Sequence, residues 1–388
     1  MGFAVAAMKM VHRGYIVVLL VELLVFCSFM ASSATSSNDM STAILIRVDQ
    51  SGNGDYGKIQ DAIDAVPSNN SQLYFILVKP GTYREKIVVP ADKPFITLSG
   101  TQASTTIITW GDGGEIFESP TLSILASDFV GRYLTIQIQT LTEISNLYDD
   151  CLQNAFGTSG KAVAVRVSGD RAAFYNCRIL SYQDTLLDDA GRHYYSNCYI
   201  EGATDFICGS AASLFEKCHL HSLSEGNGAI TAQQRESTSE NTGFTFLGCK
   251  ITGVGTPYLG RPWVLTLGWC LLYPSCPVWY SHRDGMTGET PTSKGIYVIC
   301  PSDPSVLSII DFLPCFWFYS TVYYGEYKCY GPGANRTERV EWSRSLSSDE
   351  AVPFLTKEMI GGQGWLRPAP THFMRGSSVI TMNTDGKN

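Results

Sequence analysis

Phe174-Tyr175-Asn176-Cys177-Arg178-Ile179, Tyr195-Ser196-Asn197-Cys198-Tyr199-Ile200, Phe215-Glu216-Lys217-Cys218-His219-Leu220 and Phe246-Leu247-Gly248-Cys249-Lys250-Ile251 share the pattern aromatic-x-x-Cys-x-aliphatic. Their cysteines fall at 177, 198, 218 and 249, intervals of 21, 20 and 31 residues. A period near 21 residues built from short strand-like segments marks a solenoid, whose units bury their apolar faces only against neighbours. No helix recurs within the period, which disfavours leucine-rich repeats and favours a parallel β-helix with like residues stacked in interior ladders. The four cysteines are expected as one such ladder. Stacked buried thiols are the plainer reading, and disulfides between neighbours the alternative.

Upstream of the repeats there is one amphipathic helix. Ile44 to Val48 reads as a strand, and Gly52-Asn53-Gly54-Asp55-Tyr56-Gly57 matches G-x-G-x-x-G ahead of Ile59, Ala62, Ile63 and Val66 at helical spacing, ending at Pro67. Dinucleotide binding also requires repeated βαβ units and a later acidic residue, and the chain beyond Pro67 reads as strands and turns. The helix is better explained as a cap over the open end of the solenoid, where strand edges would otherwise be bare.

The 388 residues are 44% hydrophobic and 16% charged, enough to build a core and too apolar for a disordered or fibrous chain. A net charge of −8 without Lys/Arg clusters argues against nucleic acid as a partner.

At the amino terminus, Lys9, His12 and Arg13 precede an apolar run from Gly14 to Met30, with small residues at Ala31 to Ala34. This is the order of a secretory signal peptide over residues 1–34; the run is short for a membrane span and contains Glu22. Cleavage near Ala34 predicts a secreted chain without stable membrane association, in a compartment where Asn69 and Asn335 stand in glycosylation sequons. It also removes Cys27 and leaves 11 of the 12 cysteines. No Cys/His spacing suggests zinc, and His219 and His221 alternate on a strand as structural residues, so no metal is assigned.

Two carboxylates obey the repeat. Asp184 in Gln183-Asp184-Thr185-Leu186 and Asp205 in Thr204-Asp205-Phe206-Ile207 lie 21 residues apart, which stacks them on adjacent coils about 4.8 Å apart. Two carboxylates that close do not ionise together easily, so one is expected to titrate high, separating an acid from a nucleophile. A pair of turn aspartates capped by backbone N–H groups is the equally available structural reading.

Gly81-Thr82-Tyr83-Arg84-Glu85, Gln183-Asp184-Thr185-Leu186, Gly202-Ala203-Thr204-Asp205-Phe206-Ile207-Cys208-Gly209 and Leu259-Gly260-Arg261-Pro262-Trp263 occur in the order found in plant pectin methylesterases. The sequence resembles that family over most of residues 42–376. The resemblance implies a right-handed parallel β-helix that hydrolyses methyl esters of cell-wall homogalacturonan without a cofactor. Carried over residue by residue, it implies Asp205 as nucleophile, Asp184 as general acid and base, Gln183 as oxyanion donor, Arg261 holding Asp205, and Trp263 facing a sugar ring. It further implies a monomer that meets methylated pectin and a proteinaceous pectinesterase inhibitor; with only a few residues between the signal and Ile44, no inhibitor-like pro-region is expected. A lyase or glycosidase on the same polymer would want calcium-binding or different acidic clusters, and neither is evident.

Four departures bear on activity. Lys161 stands where the family usually has a second oxyanion-donating Gln, and its charge lowers the pKa that Asp184 needs as an acid. Cys208 replaces a Phe beside the nucleophile. Residues 138–153 interrupt the pattern after Gln137, and residues 264–320 match nothing recognisable. The latter segment holds four cysteines, three tryptophans and only six charges. It reads as translated intron or a shifted frame, with a natural insertion as the alternative. A pectin-binding relic without turnover is therefore the rival to the esterase.

Overall fold

The computed structural model describes residues 41–138, 160–226, 228–234, 240–255, 257–262, 293–300, 323–334, 336–337, 339 and 343–375. The signal segment, residues 139–153, Trp263 and Asn335 lie outside them, as does 264–320 apart from residues 293–300.

The chain winds into a parallel β-helix. Seven strands form one parallel sheet in stacking order: Ile87–Val89, Leu122–Ile124, Val165–Val167, Leu186–Asp188, Ile207–Gly209, Ala229–Gln233 and Tyr258–Pro262. Each coil from Leu122 to Ser222 adds a second and a third strand, as in Leu186–Asp188, Arg192–Ser196 and Tyr199–Gly202, followed by Ile207–Gly209, Ala212–Glu216 and His219–Ser222. Register confirms the period: Leu186 pairs with Ile207, Tyr195 with Phe215 and Tyr199 with His219.

The repeated motif turns one corner of each coil. Its aromatic residue points inward, stacking Phe174 on Tyr195 (5.3 Å between centroids), Tyr195 on Phe215 (4.5 Å) and Phe215 on Phe246 (4.7 Å). Its third residue takes positive φ at Asn176 (53°), Asn197 (53°), Lys217 (56°) and Gly248 (64°), a conformation that Asn and Gly enter most easily. The Cys then points back inside. Cys177, Cys198, Cys218 and Cys249 are buried free thiols, and Cys198, Cys218 and Cys249 donate to carbonyls of the preceding coil at Phe174, Tyr195 and Phe215. Burial pushes the thiols of Cys177, Cys198 and Cys218 well above their ordinary pKa, so they act as small apolar fillers. Each fully buried Phe, Ile or Leu of this interior contributes about 1.5–3 kcal/mol.

Helix Ile59–Asp64 lies against the first coil with Ile59, Ala62 and Ile63 buried. Glu85, from the Gly81–Glu85 motif, accepts the backbone N–H groups of Ile59 and Gln60, both at 3.0 Å, and so closes the helix start. The glycine-rich loop before it folds onto its own strand: Asp55 and Tyr56 donate N–H groups to the Arg47 carbonyl, and a Cβ on Gly54 would sit 2.7 Å from that oxygen.

The carboxy-terminal segment covers the outer face of the second strands, where Ile360 and Trp365 pack on Ala173, Tyr194 and Leu214. Strand His372–Arg375 then pairs with Thr42–Val48 and ties the carboxy-terminal segment to the first coil. At the far end the parallel rule breaks. Gly243–Gly253 pairs antiparallel with Ser293–Cys300, inside the atypical segment, and that strand pairs antiparallel with Tyr323–Tyr330.

Candidate active site

Asp184 and Asp205 occupy equivalent corners of adjacent coils, each just before a strand of the seven-stranded sheet. The corner demands left-handed backbone, with φ of 58° at Asp184 and 48° at Asp205, and Asp is among the residues that tolerate it. Backbone bonds lock the two corners: Gln183 bridges to Thr204, the Asp184 N–H donates to the Thr204 carbonyl, and the Asp205 N–H donates to the Ala229 carbonyl. Phe206 and Thr185, the next residues, turn inward and are fully buried. A Cβ on Gly202 would lie 2.3 Å from the Phe206 Cβ, so only glycine lets these coils close.

The two carboxylates, each 5% exposed, sit in different electrostatic settings. Arg261 reaches across from strand Tyr258–Pro262, donating from Nε to Asp205 Oδ1 at 2.7 Å and from Nη2 to Oδ2. This two-pronged contact fixes the plane of the Asp205 carboxyl. Among the described residues no cation grips Asp184 in this way. Its pKa is pushed up to about 6, first by burial and also by the charge of Asp205, against the opposing pull of Lys161 and Arg261. One carboxylate is thus held by a guanidinium while its neighbour keeps a proton in weak acid.

Gln183 is half-buried beside Asp184, and its carbonyl accepts the Ala162 N–H, which brings the exposed Lys161 next to the pair from the preceding coil. Ile116, Val163, Leu187, Cys208 and Ala232 form an apolar wall on the same sheet. Cys208 is buried there, and burial together with the three nearby aspartates raises its pKa far above the ordinary value. It is no nucleophile. The structure brings Asp184, Asp205, Gln183, Lys161 and Arg261 together on neighbouring coils, whereas Trp263 lies outside the described residues.

One feature carried no sequence signal. Asp188 ends the strand Leu186–Asp188 that follows the Asp184 corner, and it is completely buried. It accepts bonds from Tyr195 (2.6 Å) and Ser213 and faces His193 Nδ1 at 2.6 Å, while His193 Nε2 faces the Gly169 carbonyl at 3.0 Å. A carbonyl only accepts, so the Gly169 oxygen takes its bond from His193 Nε2, while Nδ1 faces the Asp188 carboxyl. This buried hub ties Asp188 to its own coil through His193 and Tyr195 and to the next coil through Ser213. Its partners lie on two strands, Arg192–Ser196 and Ala212–Glu216, with Gly169 in a bend, so spacing does not reveal them. Among the described residues no group of three or more His, Cys, Asp or Glu is arranged to hold a metal. His219 and His221 instead share the Thr252 hydroxyl, at 2.8 and 2.6 Å.

A family model described as Pectinesterase matches residues 45–266. The chain belongs to the pectinesterase family. The family match ends close to where the sequence pattern breaks. The chain is 57% identical over 344 residues to the Arabidopsis thaliana protein named "Putative pectinesterase 11", covering 87% of this chain and 85% of that one. It is 37% identical to "Pectinesterase QRT1" of the same plant, over 83% and 79% of the two chains. Among solved structures it resembles pectin methylesterase from carrot, at 28% identity and a TM-score of 0.62 over 86% and 96% of the chains. As a pectinesterase, the chain is a carboxylic ester hydrolase, and the family's reaction is the removal of methyl esters from pectin.

Proposed function

We propose that this pectinesterase is secreted to the cell wall after cleavage near Ala34 and demethylates homogalacturonan there through an aspartyl acyl-enzyme. The observation that carries the reading is the asymmetry of the stacked pair: Asp205 gripped by Arg261, and Asp184 raised to about 6. In this scheme the Asp205 carboxylate attacks the ester carbonyl, and the Gln183 amide stabilises the tetrahedral oxyanion. Protonated Asp184 gives its proton to the departing methoxide, releasing methanol and leaving galacturonyl anhydride on Asp205. Asp184, now a carboxylate, takes a proton from water as it attacks that anhydride, which frees the galacturonate and restores both groups. Arg261 holds and orients the Asp205 carboxyl between turnovers. Trp263, two residues further on, is proposed to lie under a sugar ring.

Lys161 favours a second reading, the catalytically impaired pectin-binding relic. Its ammonium lowers the Asp184 pKa, against the needs of the acid step, although it also suits an oxyanion. Methanol release decides between them. Wild-type protein is expected to release methanol from methylated pectin and Asp205→Asn to release none while still binding the polymer. A wild type that binds pectin without releasing methanol establishes the relic.

A further inference from the structure

The outer face of the third strands carries a row of side chains that the reaction does not use. Arg178 pairs with Tyr199, Tyr199 with His219 and His219 with Lys250 on four successive coils. The row runs along the helix axis for three coil steps, about 14 Å at about 4.8 Å per step. It borders the catalytic corners, because strands Arg178–Leu180 and Tyr199–Gly202 lead directly into Asp184 and Asp205.

The row is basic on an acidic protein. Arg178 and Lys250 form no ion pair among the described residues. The nearby acid, Glu201, is engaged by the Tyr199 hydroxyl at 2.5 Å. The Arg178 guanidinium lies 4.7 Å over the Tyr199 ring, which occupies its face and leaves its in-plane N–H donors free to bind a carboxylate as a fork. His219 packs edge-on against Tyr199 at 5.0 Å and is tied through Thr252 to His221, so the middle of the row is held in place. Burial and the charges of Lys250 and His221 lower the His219 pKa to about 4, and Arg178 contributes. The standing charge therefore comes from the Arg and Lys at the two ends.

We propose that this row is a second polymer site, outside the catalytic corner, that binds a de-esterified stretch of galacturonan by its carboxylates. The inference rests on the pectinesterase reading for the identity of the polymer. A neutral methylated chain offers this row no charge, whereas the product presents carboxylates on successive sugars to cations at both ends of the row. Binding there would hold the enzyme at regions it has already demethylated and raise its turnover on partly de-esterified pectin.

The test uses the full secreted protein, Arg178→Glu/Lys250→Glu, and Arg178→Gln as a milder variant. Electrophoresis through gels containing polygalacturonate at low salt should retard the wild type. The double variant should bind about tenfold more weakly, the effect of losing two exposed ion pairs, and Arg178→Gln a few-fold more weakly. Methanol release from fully methylated pectin and the thermal midpoint should be unchanged in both, while the wild-type advantage on partly de-esterified pectin disappears. Retardation unaltered in the double variant, or absent in the wild type, overturns the proposal. A wild type that releases no methanol yet loses retardation on charge reversal refutes the hydrolase reading and leaves the second site standing.

Discussion

Asp184→Asn separates the burden of burying a carboxylate from its use. The native pKa of about 6 lies above the ordinary 3.8 because Asp184 is 95% buried beside Asp205. For a carboxyl raised in the fold, the native state binds the proton more tightly than the unfolded chain. Its favourable contribution is complete below about pH 4 and is lost as pH rises through about 6. The two values place the ionisation cost at about 3 kcal/mol at about pH 7.5 and about 1 kcal/mol at about pH 4.5. Asn cannot ionise, so the variant should gain about 2 kcal/mol relative to wild type between those conditions, even if the substitution carries a fixed penalty of its own. Urea unfolding of both proteins at the two pH values measures the difference, and methanol release should fall severely in the same variant. A stability difference independent of pH, or one that moves against the variant as pH rises, refutes the account of a buried, proton-holding Asp184.

Three further outcomes follow from the same geometry. Lys161→Gln removes a charge that lowers the Asp184 pKa, so the pH dependence of methanol release should shift to higher pH and turnover should increase; unchanged or lower turnover shows that Lys161 works in the site. His193→Phe removes a hydrogen-bonding partner of the fully buried Asp188 and should cost about 3–5 kcal/mol in denaturant unfolding; a loss below about 1 kcal/mol contradicts a structural role for the contact. Gly202→Ala forces a methyl group against Phe206 between the catalytic coils and should lower both the thermal midpoint and kcat, and a neutral result would show that the coils part freely.

Much of the site was legible because the fold is periodic. The interval of 21 between Asp184 and Asp205 is the same interval that separates Cys177 from Cys198, so one repeat placed both the interior ladder and the carboxylate pair. Arg261, more than two coils beyond Asp205 in sequence, required the family motif, because spacing alone does not aim a long side chain. The antiparallel pairing of Ser293–Cys300 had no precursor in the repeat, since that segment carries none of the motif.

The sequence by itself determined the coil period, the inward aromatic and thiol ladders and the stacking of the two aspartates. Those follow from local alternation and from residues suited to left-handed corners, repeated at one interval. Tertiary structure alone decided which aspartate is clamped and which is raised, because that depends on Arg261 arriving from another coil and on how completely Asp184 is buried. It also closed the Asp188 hub and aligned Arg178 with Lys250. Those contacts join coils across the stack, and their energies depend on distances and desolvation that no linear spacing contains.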